Sequence, residues 1–236
     1  SLGNFDSLNL PGLWGIPVRP HDVKDMIAEF SPKMIEFHLS CRDLTSANIS
    51  ALRDLQLPYC AVHAPELFEG EFLLDLCSSS KKVRMRSIDE MMRVMEFSEA
   101  LLEVAPQDKV GIIVNVGGHS SNEFMDDNAK SGLVDSLIES LDRLRNPRLD
   151  IWPQTMPPFP WHFGGRRYHN IFVHPDECIR LADQLELKLC LDISHTKLAC
   201  NYLGVRFDQV IGDLLLRANH LHIADADGLN GEGLQV

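Results

Sequence analysis

Seven short stretches of the chain are rich in apolar residues, either in a continuous run or alternating with polar residues, and both patterns are typical of β-strands. The clearest stretch is Leu189-Cys-Leu-Asp-Ile-Ser-His195, in which branched apolar residues alternate with Cys190 and Asp192. It predicts a strand inside a layered α/β core, with Asp192 and His195 at its exit. The other predicted strands cover residues 13–18, 34–40, 59–65, 110–116, 149–154 and 220–224.

Segments with apolar residues at helical spacing separate most of these strands. The longest predicted helix covers residues 80–104, where Ile88, Met91, Met95 and Leu102 fall close to helical spacing. Shorter helices are predicted at 23–30, 45–55, 126–144, 175–185 and 207–218.

This alternation of strands and helices predicts an α/β fold with a parallel sheet and right-handed crossovers. No Gly-x-Gly-x-x-Gly follows the first strand, so a dinucleotide-binding fold has no support. A (β/α)8 TIM barrel fits better, with seven strand–helix units visible and the eighth strand missing or incomplete. Residues 1–12 are predicted to be a lead-in, and residues 13–236 a single barrel domain that is truncated at its C-terminus.

Nearly every predicted strand ends in a polar residue, and barrel enzymes keep their active sites at those strand ends. The residues concerned are Arg19, His38, His63, Asn115, Gln154, Asp192, His195 and His222. A carboxylate and an imidazole three residues apart, such as Asp192 and His195, can converge on one metal or one substrate oxygen. The simpler alternative is that Asp192 caps the next turn and His195 is an ordinary loop histidine.

The connection at residues 155–169 contains three prolines, two glycines and four aromatic residues. Long loops of this kind at strand exits tend to bind or cover substrates. We expect Trp161 and His162 to form a lid. Arg166 and Arg167 could bind a phosphate or carboxylate, although paired loop arginines are more often solvated.

Composition excludes several classes of protein. The net charge is -12, with 22 Lys and Arg against 34 Asp and Glu, which argues against a nucleic-acid surface. No apolar run reaches the roughly 18 residues that cross a bilayer, and the start lacks the parts of a signal peptide. The six cysteines show no Cys-x-x-Cys spacing, which favours reduced thiols in a cytoplasmic protein.

Four pieces of the sequence resemble the xylose-isomerase-like barrel superfamily, which holds sugar isomerases and epimerases, sugar-phosphate members and the endonuclease IV group. The pieces are Val62-His63-Ala-Pro65, the Val-Gly-Gly around Gly117, Asp192-x-x-His195 and His222-x-x-Asp225. In that superfamily a fifth-strand Glu, the Asp of Asp-x-x-His, a seventh-strand His and an eighth-strand Glu hold a divalent metal. The resemblance implies Mn, Co, Zn or Mg on Asp192 and His222, with His195 on substrate or on a second metal.

The chain departs from this pattern in three places. Gln154 stands where the family has its fifth-strand Glu; its carbonyl can coordinate a metal, but it brings no charge and cannot act as a base. Endonuclease-like members have a histidine near the position of Asn115, so a full trinuclear zinc set is not expected. The eighth-strand Glu is not in the chain. With Asp192 as the only anionic ligand from these strands, the metal would be held weakly.

Three further segments resemble a barrel module that is appended to bacterial sialic-acid-synthase-type proteins. They are Gly15-Ile-Pro-Val-Arg19, Glu36-Phe-His-Leu-Ser40 and Pro157-Pro-Phe-Pro-Trp-His-Phe-Gly-Gly165. This likeness implies that the chain is one domain of a longer protein, whose other domains are its partners.

The first hypothesis is a sugar or sugar-phosphate isomerase or epimerase. A divalent metal on Gln154, Asp192 and His222 would polarise vicinal oxygens of the sugar. Protons would be handled by His195 with Glu36 or His38. The expected substrate-binding residues are Arg19, His63, Asn115, His119, Trp161, His162 and Arg166.

The second hypothesis is a non-catalytic or metal-free sugar-binding barrel module, which the glutamine at position 154 favours. A carboxylate that reaches the site, from Glu232 or from beyond Val236, would separate the two hypotheses. An abasic-site endonuclease would have the right fold but the wrong charge and an incomplete histidine set.

Overall fold

The computed structural model describes residues 13–162, 165–229 and 231–234. Within these ranges, the backbone alone is described for residues 161, 162, 165 and 231–234. The predicted lead-in at residues 1–12 lies outside the described part of the chain.

Seven strands occur at the predicted places, and the label β is kept for them. They are β1 Gly15–Val18, β2 Met34–His38, β3 Tyr59–His63, β4 Val110–Val114, β5 Leu149–Pro153, β6 Leu189–Asp192 and β7 Ala218–His222. Several boundaries differ from the prediction: β6 ends at Asp192 rather than at His195, β7 lies two residues earlier than expected, and β2, β3 and β4 each end two residues early.

Helices separate the strands. They are α1 Val23–Phe30, α2 Asp43–Ser46, α3 Lys81–Leu102, α4 Asp127–Arg143, α5 Pro175–Gln184, α6 Ile193–Leu203 and α7 Phe207–Leu215. The single helix predicted at 45–55 was wrong, because the chain forms α2 and then a 3-10 helix at Ile49–Leu55. Helix α6 was missed, since its first residues continue the alternation of β6.

The described residues form two compact units. The first consists of residues 13–65, 93–112 and 146–150. Its strands β1, β2, β3 and the beginnings of β4 and β5 lie in one sheet in chain order. Strands β1 to β3 pair in parallel, and their register sets His38 opposite His63. Ile35, Phe37 and Val62 are fully buried in this sheet.

The second unit consists of residues 66–92, 113–145 and the described residues from 151 onward. Strands β6 and β7 pair in parallel with Asp192 opposite His222, and a bridge joins Gln154 to Cys190. The short antiparallel pairs are Leu67–Phe68 with Phe72–Leu73, His119–Ser120 with Tyr168–His169, Trp161–His162 with Gly165–Arg166, and Asp225–Asp227 with Gly231–Leu234.

Strands and helices alternate along both units, which confirms the predicted α/β class. Among the described residues, the chain after β7 continues into an antiparallel hairpin and shows no eighth parallel strand. The prediction of a single domain over residues 13–236 stays a prediction. None of the described helices has the length and apolar character that a membrane span needs.

Candidate functional site

In the second unit, the three predicted metal ligands lie at the ends of β5, β6 and β7. Gln154 Nε2 is 3.1 Å from Asp192 Oδ2 and 3.2 Å from His222 Nδ1. Asp192 Oδ2 and His222 Nδ1 are 3.4 Å apart. Because Asp192 and His222 are register partners, the parallel pairing of β6 with β7 places their side chains side by side. The three ligand atoms therefore form a compact triangle.

The two oxygens of the Asp192 carboxylate have different partners. Oδ1 accepts hydrogen bonds from the Ser194 hydroxyl and from the His195 backbone N–H, both at 2.9 Å, and so caps the N-terminus of α6. Oδ2 faces Gln154 and His222. The capping alternative and the site hypothesis are therefore compatible, since each uses one oxygen of the same side chain.

Asp192 is buried and is held in its charged form. Burial is the largest influence on its pKa and raises it. Hydrogen bonding to His222, the charges of His195 and His222 and the His195 backbone N–H together outweigh burial and lower the pKa to about 2. A carboxylate with this pKa is a suitable metal ligand and a poor proton acceptor.

His195 lies in the first turn of α6, not on a strand as predicted. Its Nδ1 is 2.9 Å from the Thr155 carbonyl oxygen and 3.5 Å from Asp192 Oδ2. A carbonyl oxygen can only accept, so Nδ1 carries the proton in this bond. In the neutral ring the lone pair then belongs to Nε2, which is the nitrogen that can accept a proton.

Two buried threonines, which the sequence did not indicate, hold this arrangement. Thr155 Oγ1 accepts the Asp192 backbone N–H at 2.9 Å, and the Thr155 carbonyl accepts from His195. Thr196 Oγ1 donates to the Asp192 carbonyl at 2.8 Å. Neither threonine belongs to a recognisable motif, so only the packing of β5 against β6 could identify them.

The triangle has the size that a divalent ion requires. Ligand atoms at about 2.1 Å from one ion lie about 3.0–3.4 Å apart in octahedral or tetrahedral geometry. The 3.4 Å between Asp192 Oδ2 and His222 Nδ1 lies in this range, and the Gln154 amide nitrogen is 3.1 and 3.2 Å from these two atoms. Asp192 and His222 supply lone pairs, whereas Gln154 presents its amide nitrogen. Its amide must turn by half a rotation to offer the carbonyl oxygen.

His222 also belongs to a second possible ligand set. Cys190, His220 and His222 each place one ligand atom within 4.8 Å of the other two. The His220 ring stacks on Trp152 with a centroid distance of 5.9 Å, and Cys190 is fully buried. Cys190 and His220 were not predicted as site residues, although their two-residue spacing from Asp192 and His222 puts each on the same strand face.

Asn115 and His119 lie close to a buried histidine that sequence reasoning missed. Asn115 Nδ2 is 3.4 Å from His169 Nε2, and the rings of His119 and His169 are 6.2 Å apart. The pairing of His119–Ser120 with Tyr168–His169 creates this group. Asn115 Oδ1 also accepts the Gly117 N–H, so this predicted substrate residue supports a turn as well.

Several rings anchor the predicted lid loop at residues 155–169. The ring centroid of Phe159 lies 4.9 Å from that of Tyr202 and 5.4 Å from that of Phe124. The centroids of Tyr168 and Phe124 are 5.1 Å apart. The Arg166 guanidinium is 5.9 Å from the Phe159 ring. The side chains of Trp161 and His162, predicted to cover the substrate, lie outside the described part.

In the first unit, a second group of predicted residues comes together. Glu36, His38 and His63 each have one ligand atom within 4.8 Å of the other two. The His38 ring contacts the Glu36 carboxylate through Nε2 and lies 4.5 Å from the His63 ring. Arg19 donates to the His38 carbonyl oxygen through Nη1, so its guanidinium lies beside this group.

Comparison with known proteins identifies the family. Residues 27–235 match the family of xylose isomerase-like TIM barrels. This match covers most of the chain, so the protein belongs to the xylose isomerase-like TIM barrel family, and the predicted fold class is confirmed. No curated protein matches the chain significantly in sequence.

Solved structures of similar fold include sugar epimerases and an endonuclease. A D-tagatose 3-epimerase-like protein aligns with a TM-score of 0.64 and 17% identity over 92% of this chain and 79% of its own. A xylose isomerase domain protein from Planctomyces limnophilus aligns with a TM-score of 0.65 and 13% identity, over 96% of this chain and 82% of its own. Endonuclease IV from Thermus thermophilus aligns with a TM-score of 0.57 and 17% identity, over 95% of this chain and 80% of its own. At these identities the likeness establishes the fold alone.

Proposed function

We propose that the chain is an isomerase or epimerase of a sugar or sugar phosphate, and that Gln154, Asp192 and His222 hold a divalent metal ion. The observation that carries the proposal is the compact group of three side chains, in which Asp192 Oδ2 and His222 Nδ1 are 3.4 Å apart and the Gln154 amide is within 3.2 Å of both. The names of two similar structures, a D-tagatose 3-epimerase-like protein and a xylose isomerase domain protein, support the substrate class.

Each residue of the site has a defined task in this proposal. When bound, the metal would act as a Lewis acid that polarises a sugar carbonyl or hydroxyl oxygen. Asp192 contributes the negative charge through Oδ2, and its Oδ1 keeps the carboxylate fixed on α6. His195 accepts a proton from the substrate at Nε2, because Nδ1 donates to the Thr155 carbonyl.

The other predicted assignments remain part of the proposal. Arg19, His63, Asn115, His119 and Arg166 are proposed to bind substrate, as are Trp161 and His162. Glu36 and His38 are the further proton-handling groups predicted from the sequence. A cytoplasmic location and additional domains of a longer protein stay predictions as well.

A test combines metal binding with proton exchange. Protein purified without chelator should contain a divalent metal, or take up Mn²⁺, Co²⁺ or Zn²⁺, and should catalyse uptake of deuterium from D2O at one carbon of a sugar substrate, followed by NMR. Asp192→Ala and His222→Ala should each bind one ion fewer per chain than wild-type protein and should lose the deuterium uptake. Asp225→Ala is the matched control, since Asp225 is an exposed residue of the same unit that pairs with Lys197.

Failure of both measurements would refute the isomerase proposal. If wild-type protein binds no ion at millimolar concentration and exchanges no proton of a broad sugar panel, the metal-dependent mechanism is wrong. A number of bound ions per chain that is the same in wild-type protein, Asp192→Ala and His222→Ala would overturn the assignment of Asp192 and His222 as ligands.

The orientation of Gln154 favours a second candidate, a metal-free sugar-binding module. The Gln154 amide nitrogen donates to Asp192 Oδ2 and lies 3.2 Å from His222 Nδ1, which is itself 3.4 Å from the same carboxylate oxygen. These contacts can satisfy the carboxylate without a cation. Sugar binding measured by calorimetry in the presence of chelator, with no proton exchange, would support this candidate over the isomerase.

A further inference from the structure

The ends of β2 and β3 hold a cluster that the metal site at Asp192 does not use. Glu36 and His38 share one face of β2, because they are two residues apart on a strand. His38 is the register partner of His63 on β3. Sequence spacing and strand pairing thus bring one carboxylate and two imidazoles to the same level of the first unit.

The three side chains meet closely enough to share a ligand. One oxygen of Glu36 and one nitrogen of each histidine lie within 4.8 Å of one another. An ion with bonds of about 2.1 Å needs separations of about 3.0–3.4 Å. The His38 side chain is 36% exposed, so it can adjust its position to the geometry of the ion.

Glu36 is too deeply buried to be an ordinary surface carboxylate. The residue is only 5% exposed, within a sheet whose Ile35 and Phe37 are fully buried. Taking a carboxylate out of water is costly unless a positive charge or several hydrogen bonds compensate, and buried charges are commonly paired or bound to metals. Glu36 contacts the imidazole of His38, and a divalent ion would add a full compensating charge.

His63 has the hydrogen bond that is typical of a metal-binding histidine. Its Nδ1 is 2.9 Å from the carbonyl oxygen of Ala64. Because the carbonyl accepts, Nδ1 carries the proton and the lone pair of the neutral ring is on Nε2. Metal-bound histidines usually donate their other ring N–H to a carbonyl or carboxylate in this way.

We propose that Glu36, His38 and His63 bind a divalent transition-metal ion of the Zn²⁺ or Co²⁺ type. Two imidazoles and one carboxylate suit such borderline ions and leave coordination positions for water or a substrate oxygen. In this assignment the cluster is a metal site of its own, and it replaces the proton-handling role predicted for Glu36 and His38. It does not depend on the proposed isomerase activity.

The test removes the site in the second unit and asks whether an ion still binds. The background variant Asp192→Asn/His222→Gln lacks two ligands of that site. It should still bind one Co²⁺ per chain, measured by visible absorption of the ion and by calorimetry. Adding Glu36→Gln, His38→Gln or His63→Gln should weaken Co²⁺ binding at least about tenfold. Adding His21→Gln should leave it unchanged, because His21 is an exposed histidine of the same unit.

Two results would overturn the proposal: no Co²⁺ or Zn²⁺ bound by the background variant at millimolar concentration, or binding that none of the three cluster variants weakens. A measurement on wild-type protein guards against misfolding of the multiple variants. In histidine-selective ¹⁵N NMR, Zn²⁺ should shift the ring nitrogens of His38 and His63 and leave those of His21 in place. Unshifted His38 and His63 signals at saturating Zn²⁺ would equally reject the site.

Discussion

The two polar clusters are built by the same rule but are held differently. In each, neighbouring parallel strands set ligand residues in register: His38 opposite His63, and Asp192 opposite His222. Asp192 is fixed by Ser194 and by the start of α6, whereas Glu36 contacts the neighbouring His38. Strand pairing alone brings ligands together, and a helix N-terminus beside a strand end makes one of them rigid.

This difference predicts different behaviour toward metals. In the Asp192 site, Asp192 Oδ2 and His222 Nδ1 are 3.4 Å apart and Asp192 is held by α6, so an ion needs only the Gln154 amide to turn. The Glu36 cluster includes the partly exposed side chain of His38, so we expect its ligands to rearrange more around an ion. The following experiments, from the largest expected effect to the smallest, test whether the preorganisation matters.

Asp192→Asn should have the largest effect, because it removes the only charge among the ligands of the second unit. Asparagine can still cap α6 through its side-chain oxygen, whereas alanine cannot. In both Asp192→Asn and Asp192→Ala, we expect the metal affinity of this site, measured by calorimetry, to fall by about 100-fold or more. Both variants should lose the stabilisation that the charged carboxylate provides at pH 7, and Asp192→Ala should lower the free energy of unfolding by about 1 kcal/mol more than Asp192→Asn, because it also loses the cap.

Equal stability of the two Asp192 variants in urea unfolding would show that the cap contributes nothing. The start of α6 would then not be what makes the Asp192 site more rigid than the Glu36 cluster.

Asp75 provides a buried carboxylate for comparison, since its hydrogen bonds come from the backbone N–H groups of Cys77 and Gly118. Burial raises its pKa to about 6, and these two bonds only partly oppose that. The folded pKa lies above the ordinary 3.8, so stability should fall as pH rises from about 4 to about 6, by about 3 kcal/mol at most.

Asp75→Asn should abolish this slope, because the amide does not titrate and its oxygen can accept both N–H groups. Urea unfolding between pH 4 and 7 measures the effect. Asp192 should act in the opposite sense: its stabilisation is present above pH 4 and is lost as pH falls through about 2. A wild-type stability that is flat from pH 4 to 6 would contradict the raised pKa.

Thr155→Val should show how much the support around Asp192 contributes. It leaves the buried Asp192 N–H without the hydroxyl that accepts it at 2.9 Å, which should cost about 1–3 kcal/mol of stability. Metal affinity should fall about tenfold, as for other supporting residues. Thr196→Val is the matched control: its hydroxyl donates to the Asp192 carbonyl, a group that α6 itself can satisfy.

The two threonine variants could instead lose equal stability in thermal unfolding and equal metal affinity in calorimetry. That result would mean that the loss of either buried hydroxyl has the same effect. The specific support of Asp192 by Thr155 would then be disproved.

Gln154→Glu should have the smallest effect and the opposite sign. A second carboxylate beside Asp192 should raise the affinity for Mn²⁺ or Co²⁺ about tenfold, because it adds charge at a site of suitable size. Without metal the same variant should be less stable at pH 7, since two carboxylates repel one another. Unchanged metal affinity in titrations of this variant would show that position 154 does not face the ion.

The sequence predicted the elements that depend on local spacing. Short apolar runs located all seven strands, and the two-residue period of a strand put Glu36 and His38 on one face. The prediction failed at α6, because the alternation of β6 continues through Ile193 while the Asp192 side chain caps a new helix. Once the strands were located, the polar residues at their ends followed from the sequence. The spacing of residues could not show which of these strand ends lie next to one another.

Only the tertiary structure decided how the site is assembled. Oδ1 of Asp192 caps a helix and Oδ2 faces Gln154, which lies 38 residues away in the chain. His222 meets Gln154 across 68 residues, and Thr155 meets Asp192 across 37. A strand's own periodicity fixes which side chains share its face. Partners this distant in sequence are chosen by strand register and packing, which no local pattern encodes.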